Sequence, residues 1–301
     1  TAFAVFTAIA AFGIGNLTQG NAAAEQLHHA FSIPFWGTAA VLTALTALVM
    51  LGGIQGIARV CAFFVPFMAV IYIMGCLYIL TIQAEYIIPA IRYILDCAFT
   101  GEAAAGGAAG AAVMAAMRTG VARGLFSNEA GSGSAPCAAA AAECDRPAKA
   151  GLVQALGVFV DTIVICSCTA MIMLLAPKDL INGLSGMDLL QTAMQYHLGK
   201  FGVIFIALTL FLFSFSTFLG ILFYARCNVA YLFGDKWCFQ TAYKVLALVM
   251  LFIGGIAAYT FVWDLGDVGI GLMTIFNIIA LYPLAGEALS ELKSYEESKK
   301  S

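Results

Sequence analysis

The sequence predicts an all-α protein, a polytopic membrane helix bundle forming a single domain over residues 1–301. Three observations carry the prediction. Hydrophobic residues make up 62% of the 301 positions, and only 14 Lys and Arg and 17 Asp and Glu are present. That leaves too little polar surface to coat a soluble globule, in keeping with a mean hydropathy of +0.95. Runs of about 18 to 25 mostly apolar residues also recur along the whole chain, each long enough to cross a hydrocarbon core of roughly 30 Å as a helix.

Apolar runs between turn signals place about eight membrane segments, at 2–24, 35–52, 62–82, 104–142 (interrupted), 151–176, 201–224, 242–261 and 266–285. Alternating these through a bilayer gathers Arg59, Arg146, Lys149, Arg226, Lys236, Lys244, Lys293, Lys299 and Lys300 on one side, leaving Arg92, Lys178 and Lys200 on the other. Short cytoplasmic loops keep an excess of Lys and Arg, so the first side is inside and the tail "ELKSYEESKK" is cytoplasmic. The connections 83–103 and 177–200 then become amphipathic outer caps, placed to act as lids. No n-region or cleavage site precedes the first apolar run, and the chain opens on Thr1, which reads as part of something longer.

The formal net charge of −3 comes with no basic stripe, which excludes nucleic acid as a partner. The nine Cys lack the paired spacing of a zinc site or a disulfide framework. They read as small buried hydrophobes, and no cofactor is expected.

The segment 105–142 as one straight helix would be roughly 57 Å long at 1.5 Å per residue, so it must break or tilt. The stretch "GLFSNEAGSGSAP" at 124–136 marks the break, with Ser132 or Ser134 available to cap the restarted helix. Unwound backbone at membrane depth cannot face lipid, so it lines a cavity. Carbonyls ending the first half suit a cation or ammonium group, and amides opening the second suit an anion. A Gly/Pro kink in an ordinary bundle helix is the plainer alternative, although a bend alone does not call for Ser127, Asn128 and Glu129 beside it.

Other polar residues in apolar surroundings are candidates. Phe12, Asn16 and Gln19, at i, i+4 and i+7, stack on one helical face, suited to a small amino acid or to interhelical hydrogen bonding. Asp161, Arg118 and Arg123 are costly inside a bilayer, about 2.5 to 3.5 kcal/mol each on insertion scales. Pairing of Arg118 or Arg123 with Asp161 or Glu129 would make a gate, and snorkelling to the interface is the alternative for Arg118. Asp264 and Asp267 read as caps of the last span, and His28 and His29 as loop residues.

The run "GVARGLFSNEAGSGSAPCAAAAAECDRPAKAGLVQALGVFVDTIVIC" closely resembles the most distinctive stretch of the alanine/glycine:cation symporter family, also called sodium:alanine symporters. The opening "AFGIGNLTQGNAAAEQL", the "LGGIQGIARV" turn, "FSFSTFLG" and "VWDLGDVGIGLMTIFNIIALYPL" extend the likeness almost end to end. The resemblance implies a leucine-transporter-like inverted-repeat bundle in the plasma membrane, N-terminally truncated so that it starts near the third core helix. The first core helix and its unwound "TGN" segment would then be missing, and residues 1–301 alone are not expected to transport. It also implies sodium-coupled symport of a small neutral amino acid, alanine or glycine, and no enzymatic activity.

On that mapping Phe126, Ser127, Asn128 and Gly131 face the substrate, and Ser127 also reaches Na+. Ser216 and Thr217 offer hydroxyls to Na+, against the plainer reading that each bonds back to the preceding helical turn. Many relatives carry Trp where this chain has Ile221, and an acidic residue where it has Arg226. The smaller Ile221 reshapes the substrate pocket and leaves alanine against a larger amino acid open. Proton coupling through Asp161 or Glu129 remains an alternative to sodium. A channel fits less well, because pores repeat one filter around an axis. An intramembrane serine protease built on Ser185 and His197 fits poorly too, because Ser185 lies in a polar connection.

Overall fold

A computed structural model describes residues 1–10, 15–99, 114, 117, 118, 120, 121, 124, 127, 129, 131–257 and 259–300. Every secondary-structure element among the described residues is helical. Its elements are α1 (Ala2–Ile9), α2 (Asn16–Phe31), α3 (Phe35–Leu51), α4 (Gly53–Ile82) and α5 (Ala84–Phe99), then a short α6 (Ala135–Ala139). They continue with α7 (Pro147–Val158), a π-helical segment (Phe159–Cys166), α8 (Ser167–Leu174), α9 (Lys178–Ile181), α10 (Gly186–Phe233), α11 (Trp237–Ile256) and α12 (Tyr259–Lys300).

Five described helical stretches are long and apolar enough to cross a membrane: Gln55–Ile82, Pro147–Leu174, Gly186–Phe233, Trp237–Ile256 and Val262–Lys299, with the shorter apolar Phe35–Leu51 beside them. Large side chains such as Phe63, Leu77 and Ile279 are exposed along these helices, as a lipid-facing surface requires. The chain is therefore built as a multi-pass membrane protein.

Several expected boundaries move. The span expected at 2–24 is described as α1 and α2, and α2 runs on to Phe31. α2 is not apolar, yet Asn16, Thr18, Asn21 and Gln26 are all buried, because neighbouring helices cover this helix on several sides. Hydropathy reads lipid contact, so it misses a polar helix sheathed by protein. His28 and His29 close α2 instead of occupying a loop: the His28 ring Nδ1 lies 2.9 Å from the Ile33 carbonyl and Ser32 turns left-handed at φ 56°. The span expected at 201–224 sits inside the longer α10, which breaks at Gly199 (φ 62°). The part before that glycine and α9 fill the expected 177–200 cap, and Lys178 Nζ lies 3.9 Å over the Tyr93 ring of α5, so the two expected caps touch. Asp264 and Asp267 lie within α12 rather than at its start, which is Tyr259.

Between membrane helices there is little hydrophobic drive, because lipid is as apolar as Leu, so small residues and polar bonds hold the bundle. The seam between α2 and α11 shows how. A Cβ on Gly254 would lie 2.5 Å from the Leu17 carbonyl oxygen, and one on Gly20 would lie 2.5 Å from the Leu251 carbonyl oxygen. Across this close approach Asn21 Nδ2 donates to the Ala257 carbonyl at 2.9 Å and to that of Gly254 at 3.4 Å. Nearby, Gln191 Nε2 of α10 donates to Gln26 Oε1 at 2.6 Å. One apolar cluster gathers Leu42, Phe218, Leu222, Ala247 and Leu251 around this seam, and a second gathers Tyr72, Ile79, Ile172, Met194 and Ile206 between α4, α8 and α10.

Candidate functional site

Glu129 and residues 131–134 are not helical, where the sequence places its break. Glu129 adopts φ 57°, unfavourable for a residue with a Cβ, and Gly133 adopts φ 82°. The turn closes on itself, since the Glu129 carbonyl accepts from Gly133 N–H at 2.9 Å and from Ser132 Oγ at 3.1 Å. From α12, Asn277 Nδ2 donates to the Gly131 carbonyl at 2.9 Å, satisfying a group that the lost helix leaves open. Gly133 is required by that brace, because a Cβ there would lie 2.5 Å from Asn277 Oδ1. The expected cap does not form: Ser134 precedes α6 without capping it, and its hydroxyl donates instead to Glu129 Oε2 at 2.6 Å. The Glu129 carboxylate thus ties the turn together, with Tyr224 as a further side-chain partner.

The π-helical segment brings a second carboxylate to the same place. Ser127 Oγ donates to Asp161 Oδ2 at 3.1 Å and lies 3.3 Å from Cys166 Sγ. In an α-helix residues five apart point about 140° away from one another. In a π-helix, bonded i to i+5, they stack, so Asp161 and Cys166 reach one hydroxyl only because this stretch is π-helical. That contact was not legible from an α-helical reading.

Around these groups lies a cavity of about 380 Å³, within the range of roughly 300 to 1,000 Å³ common for small-molecule sites. Its walls are Thr7 of α1 and Ala10 just after it, Gly15, Thr18 and Gln19 at the head of α2, and Ser127, Glu129, Ser132 and Ser134 of the break. Asp161 and Cys166, then Thr217, Ile221 and Tyr224 of α10, and Trp263, Ile270 and Met273 of α12 complete it. Thr217, Ile221 and Tyr224 follow i, i+4, i+7 and form one stripe of α10. Both charged residues among the described lining are carboxylates.

The residues expected at the site separate accordingly. Ser127, Glu129, Asp161, Gln19, Thr217 and Ile221 line the cavity, and Gly131 sits in the turn that walls it. Asn16 points elsewhere: it is 1% exposed and its Nδ2 reaches the Ala247 carbonyl at 3.5 Å, because a step of three residues turns a helix far enough to face α11 instead. Ser216, one residue before Thr217, lies about 100° round the helix. Its hydroxyl donates to the Phe213 carbonyl at 3.0 Å, the back-bonded arrangement. Arg118 lines a separate cavity with Met117, Val121 and Asp267 rather than meeting Asp161. Phe12, Arg123, Phe126 and Asn128 lie outside the described residues.

Sequence reasoning did not single out Tyr224, Trp263, Thr18 or Asn277. The i+7 spacing from Thr217 would have found Tyr224, and a lone amide inside "TIFNII" would have found Asn277. His197, weighed for a protease, has Nε2 2.9 Å from the Ile172 carbonyl, and Ser185 opens α10.

The family model for the sodium:alanine symporter family matches residues 1–301. The chain is 40% identical over 302 residues to the sodium/alanine symporter AgcS of Methanococcus maripaludis, covering 100% of this chain and 65% of that protein. It is 36% identical over 299 residues to the probable sodium/glutamine symporter GlnT of Bacillus subtilis, covering 99% of this chain and 62% of that one. It is 36% identical over 298 residues to the putative sodium/proton-dependent alanine carrier protein YrbD of Bacillus subtilis, covering 94% and 60% respectively. The chain thus spans about three fifths of the length of the curated relatives it matches. A membrane bundle whose helix break, serines and carboxylates face one cavity, matched from end to end by this family's model, belongs to the sodium:alanine symporter family.

Proposed function

We propose that residues 1–301 form one transporter domain of a secondary carrier that moves a small neutral amino acid, alanine or glycine, across the plasma membrane with Na+. The observation that carries the reading is the pair of carboxylates, Asp161 and Glu129, beside non-helical backbone in a cavity inside a membrane bundle. Charge at that depth is retained where it meets a charged solute or ion, and interrupted helices supply the matching backbone groups. The substrate's ammonium group and Na+ are drawn to Ser127, Asp161 and the carbonyls of the break. Its carboxylate is received by the side-chain amide of Gln19 and the hydroxyls of Ser132 and Ser134. Phe12, Phe126, Asn128 and Gly131 complete the substrate surface, and Thr217 offers a hydroxyl to Na+. Ser216 joins the Na+ shell only if its hydroxyl turns from Phe213.

The fold proposed is a leucine-transporter-like inverted repeat, with the C-terminus on the cytoplasmic side that the Lys and Arg distribution favours. Asp161 and Glu129 favour proton coupling as the second reading, since either carboxylate could carry a proton across.

Uptake of radiolabelled alanine into proteoliposomes that hold the whole carrier, rather than residues 1–301 alone, tests both readings. External Na+, with choline as control, raises uptake if sodium drives it. A pH gradient that drives uptake without Na+ establishes the second reading, and no uptake under either gradient refutes both.

A further inference from the structure

A further polar cavity lies between α10 and the start of α11, where Leu222, Phe223 and Arg226 face it from other sides of the helix that presents Ile221 and Tyr224 to the first cavity, and the symporter reading has no use for it. Its volume is about 330 Å³. Arg226, Asp235, Gln240, Tyr243 and Lys244 line it above an apolar floor, and Trp237 stands at its edge. We propose that this cavity binds the headgroup of an anionic phospholipid, one carrying a phosphate and a free hydroxyl, as phosphatidylglycerol does.

Four observations point to that chemistry. Gln240 is 9% exposed, lines the cavity, and has both side-chain amide atoms buried without a hydrogen-bond partner. A buried amide lacking both bonds is costly, and a group offering an acceptor and a donor together relieves it. A phosphate oxygen supplies the first and a headgroup hydroxyl the second.

The charge is also right. Asp235 Oδ2 lies 3.6 Å from Arg226 Nη2 and offsets that guanidinium, leaving the Lys244 ammonium as the net charge of the lining. The first turn of α11 adds backbone N–H groups, since Lys236 precedes it with no side-chain cap.

The position matches a headgroup. α11 is a membrane-spanning candidate that begins at Trp237, and Trp237 is 82% exposed, as an aromatic at the bilayer interface is. Below it Val245, Val249 and Phe252 form an exposed strip at i, i+4 and i+7, a track for acyl chains.

Native mass spectrometry of the full chain released from detergent, with phosphatidylglycerol or phosphatidylcholine added, tests the proposal. Phosphatidylglycerol is expected to be retained about fivefold over phosphatidylcholine, the preference one Lys near an anionic lipid supplies. Lys244→Gln should bring the two lipids to parity. Gln240→Glu, which sets a carboxylate against the phosphate, should do the same, with size-exclusion profiles verifying that both variants fold. Lys244 is only partly buried, so its substitution keeps the test intact if Gln240→Glu does not fold. Equal retention of both lipids by the unmodified chain overturns the proposal, as does a preference unchanged in Lys244→Gln. Displacement of the lipid by inorganic phosphate alone also overturns it, by making the cavity a site for the free anion.

Discussion

The α2–α11 seam and the break at 129–134 solve the same problem in opposite ways. Both bring backbone polar groups and buried amides together inside a membrane bundle. In the seam, Gly20 and Gly254 let two helices approach until no space is left, and Asn21 spends its amide on carbonyls of the facing helix. In the break, Asn277 props the turn open with a bond to Gly131, and hydroxyls and carboxylates of the break face about 380 Å³ of space. Small, polar composition is therefore not itself a mark of a site. What separates the two regions is whether the polar atoms end on protein or on a cavity.

Substitutions should separate the regions in the same way. The largest effect is expected from Gly254→Leu, which forces a side chain into the Leu17 backbone. Overpacking of this kind costs about 1–3 kcal/mol or more, and backbone cannot move aside cheaply, so the folded peak in size exclusion should be lost. Ser127→Ala should leave that peak in place and cut alanine uptake about tenfold or more, because it removes the hydroxyl between Asp161 and Cys166 while deleting only one atom.

A smaller, selective change is expected from Ile221→Trp. It fills part of the cavity, so uptake of glutamine should fall further than uptake of glycine when the two are compared in one preparation. The smallest effect belongs to neither region. Lys149 Nζ donates to Asp145 Oδ2 at 2.6 Å outside the membrane, and this bond holds the Asp145 carboxyl below the ordinary aspartate range. A lowered folded value means the contribution is present above about pH 3.9, the unfolded value, and fades as pH falls through the lower folded one. Because the pair is fully exposed, Asp145→Asn should shift the melting temperature at pH 7 barely at all.

The contrast also explains what the sequence could reveal. Apolar runs identify lipid-facing helices, so α4, α10 and α11 were legible. The polar end of α2, from residue 25 to Phe31, was not, because it carries no apolar run. The break was legible because "GSGSAP" disrupts helix geometry locally and is flanked by residues too polar for a kink alone. Its internal wiring was not: Ser134 serves Glu129 instead of capping α6, and no local rule sets that choice. Gln19 and Thr217 fell on the cavity while their near neighbours Asn16 and Ser216 did not. Helical spacing fixes relative directions, and only packing fixes which direction faces the cavity. Asp161 stood out as a charge among apolar residues, but its partnership with Ser127 depends on a π-helical turn.

Site-resolved alkylation tests the central claim most directly. Cys144, Cys166 and Cys238 are all exposed, and of the three Cys166 lines the cavity, giving a probe and two controls in the unmodified chain. With a membrane-impermeant thiol reagent and peptide mass spectrometry, alanine plus Na+ should slow modification of Cys166 and leave Cys144 and Cys238 unchanged. Modification of Cys166 at the same rate with and without alanine, while the protein binds alanine, would place the substrate elsewhere and contradict the account.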